Sequence, residues 1–182
     1  SLDQWNALRF NGQKESKQHI RIKEQIRLML ENWPGASSVQ VEPTIRGIDK
    51  LSFKRPDVFA TIGHQKVAIE IQLSSTYIDV IADREKFYRD IETTVLWVFD
   101  NFTHEGHRLY EKDIYYHHNA NAFELSESAL KATHERGEPH ITCHYLVPEI
   151  RNDTEIVKVW KKAVVPFSEI TFCTNTYRAY WY

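Results

Sequence analysis

Residues 55–97 read RPDVFATIGHQKVAIEIQLSSTYIDVIADREKFYRDIETTVLW, and this stretch decides the fold. Val67, Ile69, Ile71 and Leu73 alternate with Ala68, Glu70 and Gln72. A period of two is that of a β-strand, with one branched apolar face ready for burial and Glu70 and Gln72 side by side on the other. The preceding strand, around residues 56–62, places Asp57, Phe59 and Thr61 on one face and Val58, Ala60 and Ile62 on the other. Gly63-His64 between them suits a tight hairpin turn. Antiparallel pairing across that turn lets Asp57 and Glu70 approach each other on one side of the sheet. Two close carboxylates with no evident cation of the chain's own between them point to a divalent metal. A helix then runs to about residue 90, carrying Arg84 and Tyr88 four apart on one face. Residues 92–99, ETTVLWVF, read as a strand buried on both faces.

Upstream lies a second helical pattern. Glu15, His19, Ile22, Ile26, Leu30 and Trp33 recur at intervals of three and four, and Pro34-Gly35 ends the run. The stripe begins with Glu15 and His19, with Lys23 beside it, so that end of the helix is expected to open onto something polar. Residues 38–45 alternate as a first strand, with Pro43 near an edge or bend. Downstream of residue 103 the character changes. Residues 113–125 read as a hairpin or pair of short strands, 126–136 as a short helix stopped by Gly137, and 140–147 as a strand broken at Pro148. Residues 164–170 and 172–182 are expected to add sheet.

The 182 residues carry a net charge of -2, with 42% hydrophobic and 26% charged residues, as in a soluble globular protein. One domain is expected over 1–182, with a core at about 15–100 and an elaboration at about 103–182. Residues 1–60 hold ten Lys/Arg against seven Asp/Glu, a mild basic bias. The longest apolar run, residues 95–99, is far too short to span a membrane, and the first residues lack the apolar segment of a secretory signal. Two cysteines make no disulfide framework, so a reducing, cytoplasmic setting is expected.

Four pieces in order carry a resemblance: Glu15-Ser16-x-x-His19-x-x-x-Lys23, Arg55-Pro56-Asp57-Val58, Ile69-Glu70-Ile71-Gln72-Leu73-Ser74, and Arg84-x-x-x-Tyr88 ahead of Leu96-Trp97. Over about residues 15–100 the chain resembles the PD-(D/E)xK nuclease superfamily, and within it the nuclease domain of CoiA-type competence proteins and their bacterial relatives. The resemblance implies an α/β (α+β) fold: a restriction-endonuclease-like core, with a small mixed sheet flanked by helices and a C-terminal α+β elaboration. It implies Mg²⁺-dependent hydrolysis of DNA, with Mn²⁺ able to substitute. Asp57, Glu70, the carbonyl of Ile71 and Glu15 would hold the metal, and the attacking water would be activated there. Gln72 stands where the superfamily commonly has Lys; an amide orients water but brings no charge. His19 and Lys23 would contact phosphate, and Arg84 and Tyr88 would orient carboxylates or phosphate. A homodimer and further domains are compatible with the resemblance, and a membrane partner is not expected.

Other readings are compatible with parts of the sequence. A nucleic-acid-binding module could keep the nuclease scaffold without cutting, and the 103–182 elaboration could serve protein contacts instead. His140-x-x-Cys143-His144 invites zinc, but on a strand Cys143 points away from the two histidines, and structural zinc needs four converging ligands. The tail aromatics Tyr177, Tyr180, Trp181 and Tyr182 could stack on bases, yet fit a core better.

Overall fold

The computed structural model describes residues 16–72, 78–105, 109–152 and 155–182. Helix α1 (Lys17–Glu31) starts where the hydroxyl of Ser16 accepts the His19 N–H, 3.1 Å away, and buries Ile22, Ile26, Met29 and Leu30. Strand β1 (Ala36–Val41) follows, then a separate two-stranded ribbon of β2 (Ile45–Arg46) and β3 (Phe53–Lys54). The pattern expected as one strand over 38–45 is therefore divided. Ser38 and Glu42 take positive φ, and the β1 ladder shifts register between Ser37 and Gln40.

Strands β4 (Val58–Ile62) and β5 (Gln65–Gln72) form the expected antiparallel hairpin. Gly63, at the first loop position, has φ +60°, which a two-residue turn of this hand requires and a side chain resists. Helix α2 (Ile78–Asp90) carries the chain over to β6 (Thr94–Phe99), which pairs parallel to β5. Helix α3 (Leu109–His117), strand β7 (Asn121–Glu124), helix α4 (Glu127–Arg136), and the long hairpin β8 (His140–Arg151) and β9 (Glu155–Pro166) complete the main body. One mixed sheet runs β1-β4-β5-β6-β7-β8-β9. A short 3₁₀ turn, Phe167–Glu169, and the pair β10 (Thr171–Phe172) and β11 (Ala179–Tyr180) close the chain.

Three local expectations give way. Residues 113–117 belong to a helix rather than a strand, because Ile114 and Tyr115 bury against Phe102 and the α2 side of the sheet. Tertiary packing there overrides the strand preference of Ile and Tyr. Pro148 does not break β8, which continues through it opposite Lys158. Strand β7 flanks β8 only as far as Tyr145, so the missing N–H of Pro148 costs no ladder bond on that side. Sheet expected from 164 onward begins at Glu155 instead and yields to the 3₁₀ turn after Pro166.

Both faces of the sheet are covered, which decides the environment of the acidic strand positions. Val58, Ala60, Ile62, Val67, Ile69 and Ile71 face the α1 layer, with Leu96 and Val98. Ala68, Trp97 and Phe99 face the α2 and α3 layer with Ile81, Phe87 and Tyr88. Glu70 and Gln72 share the Ala68 face and are buried there at 5% and 7% exposure, not presented to solvent. Among the described residues no helix is long and apolar enough to cross a membrane.

Candidate active site

The β4–β5 ladder ends at the pair Val58–Ile69; one step beyond it Asp57 stands against Glu70. Pro56 supplies no N–H there, and the side chain of Asp57 takes over part of the ladder's work: Oδ2 accepts the Ile71 N–H at 2.7 Å. The N–H and C=O of a residue in an extended strand point to the same neighbour, so the Ile71 carbonyl lies along the same edge as Asp57. The other Asp57 oxygen, Oδ1, lies 3.1 Å from His19 Nε2 on α1. The Asp57 carbonyl accepts the N–H of Glu42 at 3.2 Å, and Glu42 Oε1 pairs with the buried Lys23 ammonium at 2.8 Å. The first turns of α1 and the end of β1 thus fix Asp57 from both sides.

Glu70 is held from the opposite layer. Arg84 Nη1 and Tyr88 Oη, one turn apart on α2, each donate to Glu70 Oε1 at 2.5 Å. Both bonds fall on one oxygen. Burial pushes the Glu70 carboxyl above its ordinary range; Arg84 opposes that rise and the nearby Asp57 charge adds to it. Tyr88 is fully buried, and desolvation followed by the Glu70 charge drives its phenol well above the usual range.

The structure thus brings together Asp57, Glu70, Ile71, His19, Arg84 and Tyr88, with Gln72 on the Glu70 face. Glu15 lies outside the described residues. Arg84 is the internal cation that the strand pattern alone did not supply, and it reaches Glu70 rather than standing apart. Lys23 is directed to Glu42. Sequence reasoning missed Asp100, which follows the last residue of β6 and accepts from Gln18 Nε2 at 2.6 Å. Its signal was its place: an acid at the carboxyl end of a buried parallel strand, where α/β sheets gather their sites.

Among the described residues no group of three or more His, Cys, Asp or Glu side chains is placed to hold a metal ion. Two carboxylates and a carbonyl nevertheless fit Mg²⁺, which takes one or two protein carboxylates and keeps waters. Among the described residues the histidine-rich segment gathers no group of three or more ligands for zinc. Cys143 packs in the α1-side core, with its thiol pushed up to about 12 by burial. His144 is spent on Glu124 at 2.6 Å and on His104 at 2.8 Å, and His140 on the Glu138 carbonyl at 2.7 Å. Of the tail aromatics, Trp181 packs on the core; its backbone N–H donates to Asn121 Oδ1 and its indole N–H to Glu169 Oε2.

The sheet with helices on both faces, and a carboxylate pair at a strand end, define an α+β protein with a polar site at the end of its central hairpin. The chain belongs to the family described as Domain of unknown function (DUF6035), whose model matches residues 1–182. No curated protein matches it.

Proposed function

We propose that the chain is a Mg²⁺-dependent nuclease domain, with the restriction-endonuclease-like core of the PD-(D/E)xK superfamily, hydrolysing phosphodiester bonds of DNA in the cytoplasm. The observation that carries this reading is the placing of Asp57 against Glu70 one step beyond the last β4–β5 pair, near enough for the Asp57 charge to act on Glu70, with His19 of α1 at the first and Arg84 and Tyr88 of α2 at the second. Asp57, Glu70 and the Ile71 carbonyl would hold the cation. A bound Mg²⁺ neutralises charge on the phosphate under attack and eases the loss of a proton from water.

The chain's own groups do the remaining work. Arg84 and Tyr88 fix Glu70 on Oε1, which would leave its second oxygen to help hold the cation. The Gln72 amide orients the attacking water by hydrogen bonding. His19, beside Asp57, is the group on α1 best placed to meet a phosphate. Lys23 acts one step back, through Glu42 and the backbone of Asp57.

A second reading has one observation in its favour. Arg84 already pairs with Glu70, as it would in a module that keeps the scaffold and binds nucleic acid without cutting. Supercoiled plasmid and end-labelled single-stranded DNA, incubated with Mg²⁺ or Mn²⁺, separate the two. Cutting that EDTA and Asp57→Ala both abolish supports the nuclease. Salt-sensitive binding without cutting, by a folded wild type in either metal, replaces it with the binding module.

A further inference from the structure

The β2–β3 ribbon and its loop form the most exposed apolar feature near the site. Ile48 is 74% exposed, Leu51 84% and Phe53 52%. A single exposed leucine says little, but three large apolar side chains exposed within six residues of one short ribbon, outside the main sheet, concentrate apolar surface at one place. Its rim is basic. Arg46, Lys50 and Arg55 are all exposed; Asp49, the sole acid between residues 45 and 55, is exposed as well and braces the loop, its Oδ1 accepting from the Leu51 and Ser52 N–H groups and the Ser52 hydroxyl, so the cations outnumber it. In a chain of net charge -2 this is a local concentration of positive charge around an apolar tip.

The ribbon is built rather than loose. Gly47 N–H bonds the Ser52 carbonyl at 2.9 Å, and Arg46 bonds the Lys50 carbonyl at 3.2 Å. A Cβ on Gly47 would stand 2.2 Å from Ser52 Oγ and 3.1 Å from the Phe87 ring, so the loop seats directly on α2. Lys54 pairs with Asp83 at 2.6 Å and lies 5.9 Å from the Phe87 ring centre. Asp83 and Phe87 thus grip the ribbon on α2, while the next residue along in each case, Arg84 and Tyr88, grips Glu70. One helix sets both elements, and β3 runs through Arg55-Pro56 directly into Asp57.

We propose that the 45–55 ribbon is the nucleic-acid-engaging element beside the carboxylate pair, and that its occupant is single-stranded DNA; this rests on the nuclease reading above. The cations match phosphates. The apolar tip needs base faces, which an unpaired strand offers at once and a duplex yields only after unstacking. A partner protein or an anionic membrane could also meet an apolar, basic tip, and the test treats these as competitors.

The test is fluorescence anisotropy in EDTA, where no cutting occurs, with labelled (dT)20 and a labelled 20-mer duplex. Ile48→Ser/Leu51→Ser and Phe53→Ser should each weaken (dT)20 binding about tenfold and leave duplex binding within about twofold. Lys50→Ala should weaken both probes alike and lower the salt slope by about one. Unchanged thermal unfolding midpoints exclude misfolding, since all these side chains are exposed. Failure of the wild type to bind (dT)20, or binding by the apolar variants equal to wild type, overturns the inference. So does tighter binding to phosphatidylserine vesicles that the double variant loses while its DNA binding stays intact. Loss of (dT)20 binding in a protein that never cuts keeps the ribbon and removes the nuclease; undiminished cutting and binding by the variants does the reverse.

Discussion

Two buried glutamates beside the α2 layer, one on β5 and one on α2, meet opposite fates. Glu70, presented to α2 from β5, and Glu85, on α2 itself, are 5% and 7% exposed. Glu85 is enclosed by donors. Trp97 Nε1 and His118 Nε2 reach its Oε1 at 3.2 and 3.1 Å, and His117 and Arg178 approach Oε2. Burial alone would raise its carboxyl, but the His118 bond and charge, then His117 and Arg178, hold it below the ordinary range. Glu70 has one cation and one phenol, both on a single oxygen, and a second carboxylate as neighbour. Desolvation wins there. A buried acid that is fully answered holds a fold together; one left short of positive charge would, on the nuclease reading, take a cation.

The largest test of that contrast is Glu70→Gln. On the nuclease reading, Mg²⁺-supported plasmid cutting should fall by about 10³-fold while the fold persists; near-normal cutting would make Glu70 as structural as Glu85. Glu85→Ala should do the opposite. Removing one partner of a buried ionic cluster costs about 3 kcal/mol, or roughly 10 °C in Tm for a chain of this size. Cutting per folded molecule should stay within about twofold, measured by calorimetry and plasmid relaxation side by side.

Why one of these glutamates was legible and the other was not is instructive. Glu70 sits in an alternating strand between β-branched neighbours, so period and side chain together mark it. Glu85 shares a buried stripe with Ile81 and Tyr88, but a charged residue on an amphipathic helix looks like any solvated one until its partners are known. Those partners come from β6, α3 and the C-terminal segment, far off in sequence. The same limit explains Asp100 and the α2 grip on the 45–55 ribbon: each depends on a contact between distant segments. The hairpin at Gly63 and the β5–α2–β6 unit were readable because their signals are local. Helix α3 was not, since its strand-forming residues are helical only by virtue of what they pack against.

Tyr88→Phe probes the contrast more gently. It keeps the ring in the α2-side core and deletes one of two donors to Glu70 Oε1. Loss of such a supporting bond typically weakens a metal site by about tenfold. The Mg²⁺ concentration for half-maximal cutting should rise by that factor, with little change in the rate at saturation. An unchanged metal requirement would mean that Arg84 alone orients Glu70.

The smallest effect is also the one whose sign separates the two residues. The folded-state carboxyl of Glu70 is raised, so its contribution to stability is present at low pH and is lost as pH rises through that raised value. Glu85 is depressed, so its contribution is present above the ordinary carboxylate range and is lost as pH falls through the lowered value. In EDTA, the Tm difference between wild type and Glu70→Gln should therefore shift in favour of wild type as the buffer is acidified from pH 7 toward that range. The difference between wild type and Glu85→Ala should shrink only on further acidification. Mg²⁺ should flatten the first curve by stabilising ionised Glu70, and leave the second alone. Two curves that move together, or a Mg²⁺ response carried by Glu85, would erase the distinction between a carboxylate that waits for a cation and one already satisfied by the fold.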